Sequence, residues 1–154
     1  MKSSVRRRVS PLKKITVLLA DDSAVVRKAL CALLKTEGRL EVVGQARNGR
    51  EAVKMAQALQ PDVILMDIAM PVLNGMEATR QIHAANPAAK VLILSAHSED
   101  EYIEGGAAVG AVGFLEKQES METLTNAICE VAKGKLFFKP AIAKRMAHGK
   151  KRLR

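Results

Sequence analysis

The sequence has no apolar run longer than five or six residues. A membrane-crossing helix needs about 20, and the basic N-terminus is not followed by an apolar stretch with a small-residue cleavage site. The chain therefore reads as a cytoplasmic protein without a membrane segment. Cysteine is nearly absent. Cys31 and Cys129 stand alone among apolar residues at helical spacing, which excludes a thiolate metal site and makes both read as buried small hydrophobes. Aromatic residues are scarce too, with no Trp and 3% aromatics in all. Acidic residues are missing from both ends: residues 1–14 hold six Lys or Arg and residues 139–154 hold seven, with no Asp or Glu in either. The remaining 12 basic residues face all 16 acidic ones across 15–138, a formal charge of −4 within a chain whose total is +9. An acidic domain thus carries two basic tails.

What is present suits one soluble domain of 154 residues, with 48% apolar and 27% charged residues. Short aliphatic runs recur at 15–20 (ITVLLA), 41–46 (EVVGQA), 62–66 (DVILM), 91–95 (VLILS) and 111–115 (AVGFL) and read as five strands. Between them, apolar residues fall at three- and four-residue spacing, as in Val25, Val26, Ala29, Leu30, Leu33 and Leu34, the pattern of a helix laid on a sheet. Strands that are nearly continuous in aliphatic residues are buried on both faces. With right-handed crossovers, this predicts a doubly wound α/β fold with a parallel sheet. Ser98 with Glu101 reads as a capping box for the fourth helix. Gly38, Gly110 and Gly134 read as helix stops. Gly105 and Gly106 weaken the fourth helix by about 0.8–1 kcal/mol each relative to Ala.

In such a sheet, ligands bind beyond the carboxyl ends of the strands, near the point where strand order reverses. The predicted strand ends carry Asp21 and Asp22, Asp67, Ser95 and, just past the fifth strand, Lys117. Taken alone, an Asp pair would be a helix N-cap with a first-turn acid, Ser95 a capped strand end, and Lys117 a solvated lysine. Together, three carboxylates on one rim repel unless a hard cation joins them, and the pair reads as part of a Mg²⁺ site.

The blocks LLADDS, ILMDIAMPVLNGMEATRQI with Asp67, Pro71 and Gly75, VLILSAH and GAVGFLEK resemble the receiver domain of response regulators, over about residues 14–135. The resemblance implies a flavodoxin-like sheet of order 2-1-3-4-5. It also implies phosphorylation of Asp67 by a sensor histidine kinase or a histidine phosphotransfer protein, self-catalysed and without a separate enzymatic activity. Mg²⁺ would be held directly by Asp22, Asp67 and the Ala69 carbonyl, and by Asp21 mostly through water. Ser95 and Lys117 would contact the phosphoryl group, and Phe114 would be the ring that turns inward on activation. Residues 1–14 then form a basic extension, 15–135 the receiver, and 136–154 a basic connector or tail.

Many receivers place a proline after the lysine; here Gln118 stands there, as in receivers joined to a LuxR-type helix-turn-helix. The stretch EVAKGKLFFKPAIAKRMA is similar to that subset's connector, but the residues that follow are too few for the DNA-binding helices. The expected output is a downstream protein partner or a homodimer. The alternatives are the receiver part of a DNA-binding regulator, or tails that bind nucleic acid by charge alone. The tails offer bases no aromatic ring to stack on beyond Phe137 and Phe138 at their margin. A haloacid-dehalogenase-type phosphatase would need a second acid two residues after Asp67, where Ala69 stands.

Overall fold

The structure, a computed structural model, describes residues 13–96 and 100–138. Five strands alternate with five helices: β1 (Ile15–Ala20), α1 (Ala24–Lys35), β2 (Leu40–Ala46), α2 (Gly49–Leu59), β3 (Val63–Met66), α3 (Gly75–Ala85), β4 (Val91–Ser95), α4 (Asp100–Ala108), β5 (Gly113–Glu116) and α5 (Met121–Ala132). The strands form one parallel sheet of order β2-β1-β3-β4-β5. The fold class read from the aliphatic runs is the one observed.

The central strands explain why. Every residue of β3 and β4 is buried, as are the last four of β1. Within each strand the side chains still alternate. Leu18, Ile64 and Ile93 enter one core cluster with Ala52 and Ala56 of α2, Ala78 and Ile82 of α3, and Ile103 of α4. Val17, Leu19, Leu65 and Leu92 enter a second cluster with Cys31 and Leu34 of α1 and Leu124, Ile128 and Val131 of α5. Both cysteines are buried and unpaired. Among the described residues no helix is long and apolar enough to cross a membrane.

The local signals divide. Gly110 and Gly134 take positive φ as helix stops. Gly38 does not: α1 ends at Lys35 with Thr36 as a right-handed cap, and the hydroxyl and N–H of Thr36 both donate to the Leu33 carbonyl. β5 begins two residues later than its aliphatic run, because the Ala111 N–H closes α4 by donating to the Gly106 carbonyl at 2.9 Å. Gly106 itself has a packing reason. A Cβ there would come within 2.6 Å of Ile93 Cδ1 on the sheet below. Ser98 of the expected capping box lies outside the described residues, as do the tails apart from Lys13, Lys14 and residues up to 138.

The loop between β3 and α3 is wound tightly. Met70 N–H donates to the Ile68 carbonyl and Leu73 N–H to the Pro71 carbonyl, at 3.0 and 2.7 Å. The second contact forces a turn on Val72, which holds φ +70 although it is β-branched and 68% exposed. Such residues are strained by about 1–3 kcal/mol. Val72→Gly is expected to raise the unfolding free energy by about 1 kcal/mol after the glycine's entropic cost is deducted, measured by urea denaturation; an unchanged or lower midpoint would show that the turn stores no strain.

Candidate functional site

The order of the sheet brings the ends of β1 and β3 side by side, and the two connections leaving β1 and β3 run to opposite faces. The ladder continues one residue past each strand. Asp67 N–H donates to the Ala20 carbonyl at 3.0 Å, and Asp21 N–H to the Ala46 carbonyl at 3.1 Å. Backbone pairing therefore fixes both carboxylates in the crevice. Asp22 follows on the exposed rim. One carboxylate oxygen from each of Asp21, Asp22 and Asp67 lies within 4.8 Å of the others. From β5, Lys117 reaches across, its Nζ 2.9 Å from Asp21 Oδ2 and 3.4 Å from Asp67 Oδ2. The Lys117 N–H donates to the Ser95 carbonyl at 2.8 Å, which ties the end of β5 to the end of β4.

Asp21 and Asp67 are only 2% and 5% exposed, so their charges are unfavourable without partners. Burial pushes the Asp67 carboxyl above the usual carboxylate range; Lys117 pulls it down, Asp21 and Asp22 push it up, and the result stays raised. For Lys117 burial acts to lower the pKa, but the hydrogen bond to Asp21 and the charges of Asp67 and Asp21 outweigh it and raise the pKa above 10.5. One ammonium thus serves two buried carboxylates, with a third acid beside them. This donor set, all hard oxygen with more negative charge than Lys117 neutralises, fits a divalent cation of the Mg²⁺ class.

The helix-cap alternative for the Asp pair fails. Ser23 is the N-cap of α1, its hydroxyl accepting the Val26 N–H at 3.2 Å, and the first turn holds no acid. Asp21 instead accepts the Ser23 N–H through Oδ1 at 2.9 Å, which leaves Oδ2 to Lys117. Ser95 is 1% exposed at its strand end, and Ala69 is an exposed residue of the loop after β3. Phe114 is not among the carboxylates. It lies 6% exposed in the cluster behind them.

Two further contributors act through the backbone, and of these only Gly75 stands in one of the sequence blocks quoted above. Arg27 donates through Nη1 to the Asp21 carbonyl at 2.6 Å and so pins the acid's backbone; only its place one turn past Ser23 hints at this. Gly75 donates to the Ile68 carbonyl at 2.8 Å, and a Cβ there would fall on the Asp67 carbonyl. No other side chain lets α3 start so close to the site.

A sequence profile of the response regulator receiver domain matches residues 17–129. The transcriptional regulatory protein LnrK of Bacillus subtilis is 38% identical over 138 residues, which cover 90% of this chain and 63% of LnrK. Response regulator GacA of Pseudomonas aeruginosa is 37% identical over 133 residues, 86% of this chain and 62% of its own. The chain spans about 60% of the length of the curated relatives it matches. Among solved structures, the signal receiver domain of NarL from Mycobacterium tuberculosis superposes with a TM-score of 0.77 at 31% identity, over 80% of this chain and all of that one. A LuxR-family two-component response regulator from Aurantimonas sp. SI85-9A1 gives 0.80 at 28%, over 90% and 99%.

The raised pKa has a sign that can be measured. Folded Asp67 holds its proton more tightly than unfolded Asp67, so its contribution to stability falls as pH rises from about 4 through the raised value. In metal-free buffer Asp67→Asn is therefore expected to melt a few degrees above the parent at pH 7, with the gap narrowing toward pH 4. Lys117 retains its Asp21 partner in the variant. A gap that is absent, or that widens on acidification, would contradict the desolvated carboxylate.

Proposed function

The chain belongs to the response regulator receiver family of two-component phosphorelay signalling, and from that premise we propose that Asp67 is its phosphoacceptor. The observation that carries this is the convergence of Asp21, Asp22 and Asp67 within 4.8 Å under the reach of Lys117. An Asp67 Oδ attacks the phosphorus of a phosphohistidine on a sensor kinase or phosphotransfer protein. The O–P bond forms as the N–P bond breaks, and the imidazole leaves with the bonding pair.

Such a transfer spreads negative charge over the phosphoryl oxygens and needs positioned cations more than proton transfer. Lys117, held between two carboxylates, is placed to shift one hydrogen bond to an incoming oxygen. The Ser95 hydroxyl and the backbone N–H groups after Asp67 supply neutral donors. Asp22, Asp67 and the Ala69 carbonyl would hold Mg²⁺ directly and Asp21 through water; when bound, the ion supplies Lewis-acid stabilisation of the transferred group. Phe114 behind Ser95 is the ring whose packing follows the state of the site. As a cytoplasmic receiver the protein would switch a partner-binding or dimerising surface, with no enzymatic activity beyond its own phosphorylation and dephosphorylation.

A second reading, that this receiver serves a DNA-binding regulator, is favoured by relatives named transcriptional regulatory proteins, of which the chain spans about 60%. Basic tails alone would give a sequence-blind attraction that weakens steeply with salt. A gel-shift titration at two salt concentrations separates site-specific from charge-driven binding.

With acetyl phosphate and Mg²⁺, the intact parent protein should gain one phosphoryl mass and Asp67→Asn none. Lys117→Ala should be phosphorylated on the order of 100-fold more slowly. In parallel, Mg²⁺ at 100 times its Kd should stabilise the parent by about 2.7 kcal/mol and stabilise Asp67→Asn far less. Normal phosphorylation of Asp67→Asn would remove Asp67 from the role.

A further inference from the structure

The four aromatic residues of the sequence are Tyr102, Phe114, Phe137 and Phe138, and they do not spread through the core. Phe137 and Phe138 come back from beyond α5 to the outer edge of β5, where Phe114 lies. Tyr102 packs from α4 on the cluster that holds Phe114. The main chain makes this return. Phe137 N–H donates to the Val112 carbonyl at 2.9 Å, and Phe114 N–H donates to the Phe137 carbonyl at 3.0 Å, so that Phe137 bridges Gly113 in parallel. It is one rung of a sixth strand.

The side chains obey strand geometry, in which successive residues face opposite ways. Phe137 packs on the cluster under α1 and α5, and Phe138 on the cluster under α2, α3 and α4. Both rings are half-buried and Leu136 before them is 60% exposed. A single rung held by two half-buried rings belongs to the low-stability end of a domain. Beside it, a cavity of about 240 Å³ lined by Ile103, Phe114, Phe137 and Phe138 leaves the rings room to repack.

This strap shares β5 with the site. Phe114 gives its N–H to the strap; three residues later, Lys117 gives its Nζ to Asp21 and Asp67 and its N–H to Ser95. Phe114 already lies inward, 6% exposed, and Phe138 packs on the cluster that holds it, so a phosphoryl group that engages Lys117 pulls on the strand to which the strap is hydrogen-bonded. We propose that the Leu136–Phe138 strap is the reporter of the site. Occupation of Asp67 tightens its docking on β5. This rests on Asp67 as phosphoacceptor.

Coupling between two sites is reciprocal, and that sets the test on the full chain, with beryllium fluoride and Mg²⁺ as the probe. Fluorine NMR reports binding, and amide exchange reports the strap relative to β2. Binding should slow exchange of the Phe114 and Phe137 N–H groups several-fold more than that of β2 amides. Phe138→Ala should weaken beryllium fluoride binding by a similar factor, and Phe138→Leu, which keeps an apolar side chain, should recover most of it. Binding that leaves those two amides unchanged or faster, or a Phe138→Ala variant that binds as tightly as the parent, would overturn the coupling and leave the role of Asp67 intact. A parent that does not bind beryllium fluoride would overturn both.

Discussion

Two buried carboxylates on neighbouring strands, with one ammonium between them, are the constraint on which the rest of this molecule turns. Asp21 and Asp67 are delivered by β1 and β3, and their positions follow from backbone pairing that extends one residue past each strand. Removed from water, they repel each other and lose hydration. Lys117 offsets part of that from β5, 2.9 and 3.4 Å away. The same arrangement that is costly in the free protein is the donor set that suits a divalent cation. An acid cluster already balanced by the chain itself would have no affinity left to offer.

The surrounding parts can be understood as support for that cluster. Arg27 and the Ser23 N–H hold Asp21 in place, and Gly75 admits the start of α3 against the Asp67 backbone. The turn at Val72 bends the chain between them. Residues three strands apart in space can therefore act as one unit because the parallel sheet aligns its carboxyl ends. An antiparallel sheet would send alternate strand ends to opposite rims.

Much of this was legible beforehand, for identifiable reasons. Strands buried on both faces leave uninterrupted aliphatic runs, so β1, β3 and β4 are found from composition alone. Polar residues that end such runs, such as Asp67 and Ser95, mark the rim. Local chemistry is harder to read. The Asp pair looks like a helix cap until Ser23 is seen to do that work, and Gly38 looks like a stop although Thr36 caps α1. The start of β5 moves because Ala111 is claimed by the end of α4. Phe137 and Phe138 read as the start of a connector, because a one-rung strand has no periodicity to reveal it. Arg27 acts through a backbone carbonyl, a partner that leaves no mark in side-chain patterns.

The returning segment also bears on how the folded chain avoids its own kind. A parallel sheet ends in two strands whose outer N–H and C=O groups can recruit another chain. At β2 the exposed Glu41 and Gln45 stand along that edge, and a charged, polar margin discourages stacking. β5, Gly-Phe-Leu-Glu, is short and mostly apolar, the kind of edge that pairs indiscriminately. By laying Phe137 over it, the chain supplies its own neighbour and takes Val112 and Phe114 out of reach. Solubility at that edge is therefore conferred by residues that lie, in sequence, outside the β/α repeat they protect.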